Sequence, residues 1–110
     1  MRILFDNGTP KPIANALKGH RVSHARQLGW HELENGELIE KAELAGYNVF
    51  LTTDKNIRYQ QNLTARKIAI VVLGHQQWPV VRLQLDKIAI AVNAATPGSY
   101  QEVEISHTDA

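Results

Sequence analysis

The sequence predicts a small three-layer α/β/α sandwich built on a mainly parallel sheet. Two observations lead there. Short apolar runs alternate along the chain with segments of helical spacing, and strands alternating with helices pair in parallel through right-handed crossovers. The clearest of these runs, "RILF" and "KIAIVVLG", are continuous rather than alternating, which fits strands covered on both faces.

The elements follow in chain order. "RILF" before Asp6 is the first strand, and "DNGTP" is a turn. Pro10 and Pro12 suit a first helical turn, with Ile13, Ala14 and Leu17 on one face and Gly19 as the stop, so a short helix is predicted over about 11 to 18. "HRVSHA" is a weak second strand resting mainly on Val22. Asn35 is the expected N-cap of "GELIEKAELAG", where Leu38, Ile39, Ala42 and Ala45 recur at helical spacing and Gly46 ends the run. "NVFLTT" and "KIAIVVLG" are the third and fourth strands, β-branched and apolar. From Pro79 to Ala95 one long helix is expected, with Val81, Leu85, Ile88, Ala89 and Val92 on its stripe. "YQEVEI" is an edge strand, and one domain is expected over 1–106 with a frayed tail over 107–110.

Composition sets limits on function. A chain of 110 residues, 44% hydrophobic, suffices for one core but not for two ordinary domains. The absence of cysteine excludes disulfides, thiol catalysis and cysteine-bound metal clusters. No run of 18 apolar residues and no signal-peptide pattern at "MRILFDNG" are seen, so a soluble, cytoplasmic protein with no membrane partner is expected. A net charge of +1 means that any nucleic-acid contact must be local. The five histidines are scattered, and "NGTPKP" lacks the glycines of a phosphate-binding loop.

Candidate chemistry lies in the carboxylates. Sites in open parallel sheets form outside the carboxyl ends of strands. Asp6 ends the first strand and Asp54 the third, so the fold carries both to one edge although 47 residues lie between them; Glu37 sits in the first turn of the helix that feeds the third strand. Three converging carboxylates would repel one another, and an oxygen-preferring cation such as Mg²⁺ or Mn²⁺ offsets that. Each acid also has a structural reading: Asp6 as a turn residue before Asn7-Gly8, Glu37 as a first-turn helix acid, Asp54 as a cap after Thr52-Thr53.

The stretches "ILFDNGTP", "ENGELIEKAELAGYNVFLTTDKNIRYQQNL" and "RKIAIVVL" resemble the PIN-like domains, relatives of the VapC-type toxin ribonucleases. The resemblance spans nearly the whole chain. It implies a metal-dependent ribonuclease, with Mg²⁺ or Mn²⁺ held by Asp6, Glu37 and Asp54, and, as in many bacterial relatives, the toxin half of a toxin–antitoxin pair. Relatives often carry a second acid two residues after the last of these; here Asn56 stands there, assigned to a water or a phosphate oxygen. Within that picture Asn7, Lys55, Arg58, Tyr59, Gln60, Asn62 and Arg66 are the expected RNA contacts: cations for phosphate, Tyr59 for base stacking, amides for backbone or base edges. Gln61 and Lys67 belong to the same basic, amide-rich stretch. Partners expected are RNA and a small antitoxin, with a homodimer as the other use of apolar surface left by Trp30, Trp78 and the last helix. A second reading keeps the fold without the chemistry, as a nucleic-acid or protein binding module, and Asn56 is the residue that favours it.

Overall fold

A computed structural model describes residues 1–57 and 66–105. Five strands, β1 (Arg2–Phe5), β2 (Arg21–His24), β3 (Val49–Thr52), β4 (Ala69–Leu73) and β5 (Tyr100–Val103), form one sheet in the order β2-β1-β3-β4-β5. Every neighbouring pair is parallel. β3 and β4 are buried at every position, the physical reason their sequences are continuously apolar, whereas the edge strands β2 and β5 are half-exposed.

The register sorts the side chains onto two faces. Ile3, Val49 and Ala69 lie side by side, as do Leu4, Phe50 and Ile70 one residue on. The first set faces a core with Ile13, Leu17, Val81, Ile88 and Val92. The second faces Ala25, Leu38, Ile39, Ala42 and Ile57. Two cores on opposite faces of one sheet make the three-layer sandwich predicted from the sequence. The layers are α1 (Asn35–Leu44) with a 3₁₀ turn at Ala25–Leu28 on one side, and a 3₁₀ turn at Lys11–Ala16 with α2 (Trp78–Val81) and α3 (Leu85–Asn93) on the other.

Several local expectations change. The first helix is a 3₁₀ turn, Lys11–Ala16, because the prolines remove donors and the remaining bonds reach three residues back, Ile13 N–H to Pro10 O at 3.2 Å and Leu17 N–H to Ala14 O at 3.1 Å. The long helix from Pro79 to Ala95 is broken in two by a 3₁₀ turn, Arg82–Gln84; Gln84 leaves helical dihedrals (φ −132°, ψ 32°) as its side chain is buried. The N-cap of α1 is Glu34, not Asn35.

Handedness also departs from expectation. The links from β2 to β3 and from β4 to β5 both move the same way across the sheet, yet α1 packs on one face and α3 on the other. Two parallel crossovers moving the same way on opposite faces have opposite hands, so one of them breaks the usual right-handed rule. Burial supplies the reason: the six-residue turn at Lys11–Ala16 is too small to cover the face carrying Phe5, Leu51 and Val71, and α3 completes it.

The core on the α1 side is tightly filled, and Ile39 is fully buried in it. Ile39→Val is expected to lower unfolding free energy by about 0.5–1.5 kcal/mol with an unchanged denaturant slope, as read from urea unfolding. Among the described residues no helix is long and apolar enough to cross a membrane. The predicted tail, 107–110, lies outside the described residues.

Candidate metal centre

The strand order reverses between β1 and β3, which start from the middle of the sheet and lead the chain to opposite edges. Crevices at such switch points are where open parallel sheets bind ligands. Asp6 leaves β1 there and Asp54 follows β3 by two residues.

Asp6 is 5% exposed, and its carboxylate is held on both sides. Thr9 Oγ1 donates to Asp6 Oδ1 and Thr52 Oγ1 donates to Asp6 Oδ2, each at 2.5 Å. The N–H of Asp54 donates to Thr52 Oγ1 at 3.0 Å, so one buried hydroxyl joins the two aspartates. Asp54 in turn accepts from the Asn56 N–H at 3.0 Å on Oδ1 and from Asn35 Nδ2 at 2.9 Å on Oδ2. The loop after β1 is pinned from behind: buried His24 donates through Nε2 to the Thr9 carbonyl at 3.1 Å and accepts through Nδ1 from the Arg26 N–H at 3.3 Å. Gly8 lets the loop approach β3 closely, since a Cβ there would lie 3.0 Å from Thr53 Oγ1.

The electrostatics follow from burial. Desolvation pushes the Asp6 carboxyl above the usual carboxylate range; the donors Thr52, Thr9 and the Gly8 N–H act against this, and the nearby Asp54 carboxylate adds a further upward push. A buried carboxylate whose charge is disfavoured by a second one nearby is a place where a cation would be favourable.

Glu37 does not join them. It is exposed, and its Oε1 turns back to the Glu34 N–H at 3.5 Å, closing a capping box at the start of α1. The residue that α1 sends to Asp54 is Asn35, which the sequence reading spent on the helix cap. The signal for it was weak: an amide two residues before the acid, in the same helical turn. Among the described residues no three of His, Asp and Glu are grouped to hold a metal ion. Mg²⁺ keeps several waters and takes one or two protein carboxylates, and Asp6 and Asp54 are the residues that would hold it. Next in sequence to Asp6, the buried Oδ1 of Asn7 has no hydrogen-bond partner while its Nδ2 donates to the His31 carbonyl at 2.9 Å.

The expected RNA contacts divide. Lys55 and Asn56 are exposed next to Asp54, and Asn7 next to Asp6 is half-buried. Arg66 and Lys67 precede β4 and so lie at the amino edge of the parallel sheet, away from the aspartates. There Arg66 pairs with Glu43 at 3.4 Å and the Lys67 N–H donates to the same carboxylate at 3.3 Å. Arg58, Tyr59, Gln60, Gln61 and Asn62 lie outside the described residues. His20 and His24 form no metal pair, because His20 Nε2 bonds Asn93 Oδ1 at 2.7 Å and His24 serves the β1 loop. A cavity of about 410 Å³ opens at the amino edge between Met1, Tyr47, Asn48 and Pro97, and Glu43 in its lining is the partner of Arg66. The two aspartates lie at the other end of the sheet.

Comparison with known proteins adds one finding. A family model described as a PIN like domain matches residues 1–74, which takes in β1 to β4 with Asp6, Asn35, Glu37, Asp54 and Asn56. No curated protein and no solved structure matched the chain. The match covers well over half of the 110 residues and includes both strand-end aspartates. The chain belongs to the PIN-like domain family.

Proposed function

We propose that this protein is a ribonuclease dependent on Mg²⁺ or Mn²⁺, acting in the cytoplasm as the toxin of a toxin–antitoxin pair. One observation carries the nuclease reading: at the switch point of a PIN-like sheet, Thr52 ties the Asp6 carboxylate to the backbone N–H of Asp54, which brings two strand-end acids together. They would hold the ion, which when bound neutralises phosphate charge and acidifies a water for attack at phosphorus.

The chain's own residues define the rest. Thr9 and Thr52 fix both oxygens of Asp6, so its carboxylate is oriented before any ligand arrives. Asn35 and the Asn56 N–H do the same for Asp54. Lys55, exposed beside Asp54, supplies positive charge for a phosphate. Asn35 is a positioning residue, and removing such an outer partner weakens metal affinity by roughly 10–100-fold in comparable sites. Asn35→Ala is therefore expected to weaken Mn²⁺ binding about tenfold or more by calorimetry while Glu37→Gln, which preserves the helix cap, leaves it within about threefold. Equal losses in both variants would restore Glu37 as a ligand.

The partner reading rests on surface. Both tryptophans pack against the two cores, so they do not supply exposed apolar surface; Leu83 (67% exposed) and Ile90 (69%), on either side of Gln84, do. An antitoxin or a second copy would cover them. The binding-module alternative is favoured by one specific feature, the neutral Asn56 two residues beyond Asp54, whose backbone rather than an acidic side chain faces that carboxylate. The deciding experiment is cleavage of single-stranded RNA with and without Mn²⁺, beside the melting temperature under both conditions. Neither cleavage nor a metal-induced rise in melting temperature would leave the binding module.

A further inference from the structure

A second feature of the carboxyl edge lies one strand beyond Asp54. Thr52 pairs with Val72, so the chain leaves β3 at Thr53 beside the end of β4 at Leu73, from which Gly74 and His75 lead away. Between them opens a cleft of about 340 Å³ lined by Thr53, Lys55, Gly74, His75, Gln76 and Gln77. Its size falls within the range of small-ligand sites. Its lining is polar and carries three kinds of group in order. Lys55 stands at the end next to Asp54. The imidazole of His75 is held in the turn by the Gln77 N–H, which donates to its Nδ1 at 3.1 Å. Gln76 and Gln77 are exposed amides.

Charge decides what the cleft takes. It continues over Lys55 and Gly74 into a smaller cavity of about 190 Å³ walled by Glu102 and Glu104. Lys55 and Gly74 line both cavities, and the two acids beyond them repel a phosphate chain that would run on past Gly74 toward β5. A neutral base is the part of a nucleotide that suits amides and an imidazole, with its phosphate left on the Asp54 side of Lys55. Imidazoles stack on unpaired bases, and a glutamine amide offers the donor and acceptor pair that matches adenine.

We propose that this cleft is a base-recognition subsite for the nucleotide beside the scissile phosphate, with adenine preferred. The proposal rests on the nuclease reading for its phosphate, and its test separates the two. Binding of labelled ten-nucleotide oligo(A), oligo(U) and oligo(C) RNA is measured without divalent metal at low salt, for wild type, Gln77→Ala, Gln76→Ala and His75→Ala. The Mn²⁺-induced melting shift of each variant shows that it folds and that Asp6 and Asp54 are intact. Wild type is expected to favour oligo(A) over oligo(U) by roughly 5-fold or more, and the variants to lose that ratio with their melting shift unchanged. A wild type indifferent to base, or variants that keep the ratio, would overturn the subsite even if cleavage is confirmed. Adenine preference without cleavage in Mn²⁺ would overturn the nuclease reading and leave the cleft as an adenine site with no scissile phosphate beside it, and no binding of any RNA would overturn the subsite.

Discussion

Asp54→Asn is expected to reduce RNA cleavage by about 100-fold or more without unfolding the protein. Loss of an outer partner already costs roughly 10–100-fold in such sites, and loss of a ligand charge costs at least as much. The fold should survive because Asp54 is only partly buried and its two bonds, from Asn35 and the Asn56 N–H, lie at the surface of the switch point. An asparagine keeps one acceptor for them. In metal-free buffer the variant is expected to melt no lower than wild type, since it removes a charge that disfavours ionised Asp6. In Mn²⁺ the wild type should gain melting temperature and the variant should not. Lys55→Ala should fail differently, weakening binding while lowering the salt dependence of affinity by somewhat under one unit per lost phosphate contact. A wild type that shows no metal-induced shift, with Asp54→Asn melting below it in metal-free buffer, would remove the metal site from consideration.

Asp6→Asn is expected to abolish cleavage and to change the pH dependence of stability. Burial raises the folded pKa of Asp6 above its unfolded value, so the folded state binds this proton more tightly. The stability that Asp6 contributes is thus fully present below the ordinary carboxylate range and is lost as pH rises through its raised folded pKa. Asparagine does not titrate. The melting temperature of the variant relative to wild type should therefore climb from acid to neutral pH in metal-free buffer and level off above it, since all other titrating groups are common to both proteins. A difference of 1 kcal/mol corresponds to roughly 4 °C or more in a domain of this size, which thermal melts resolve easily. Opposing this, Thr9 and Thr52 lose a charged acceptor. If the difference between variant and wild type falls as pH rises, those two hydroxyls outweigh burial and Asp6 is held as a carboxylate. Added Mn²⁺ should reverse the order by stabilising the wild type alone.

By itself the sequence determined the layer class, the position of every strand and the two strand-end aspartates. These follow from local causes: continuous apolar runs demand cover on both faces, and an acid directly after such a run must leave the sheet at its carboxyl edge. The family was legible for the same reason, since the matched region is the one in which those runs and acids stand.

Tertiary structure alone decided the rest. Whether α1 offers Glu37 or Asn35 to Asp54 depends on a rotation of the helix about its axis, and both residues lie in one first turn, so composition and spacing do not separate them. The burial of Thr9 and Thr52 around Asp6 depends on residues 42 or more apart being brought together by β1–β3 pairing, as the Thr9 bond to the Leu51 carbonyl at 3.1 Å shows. Arg66 and Lys67 looked like neighbours of Asp54 because they are close in sequence, but a parallel crossover returns the chain to the opposite edge before β4 begins. The face chosen by α3 was equally hidden, because its apolar stripe fits either side of a sheet buried on both, and what selected one was the area that the short turn at Lys11–Ala16 left uncovered.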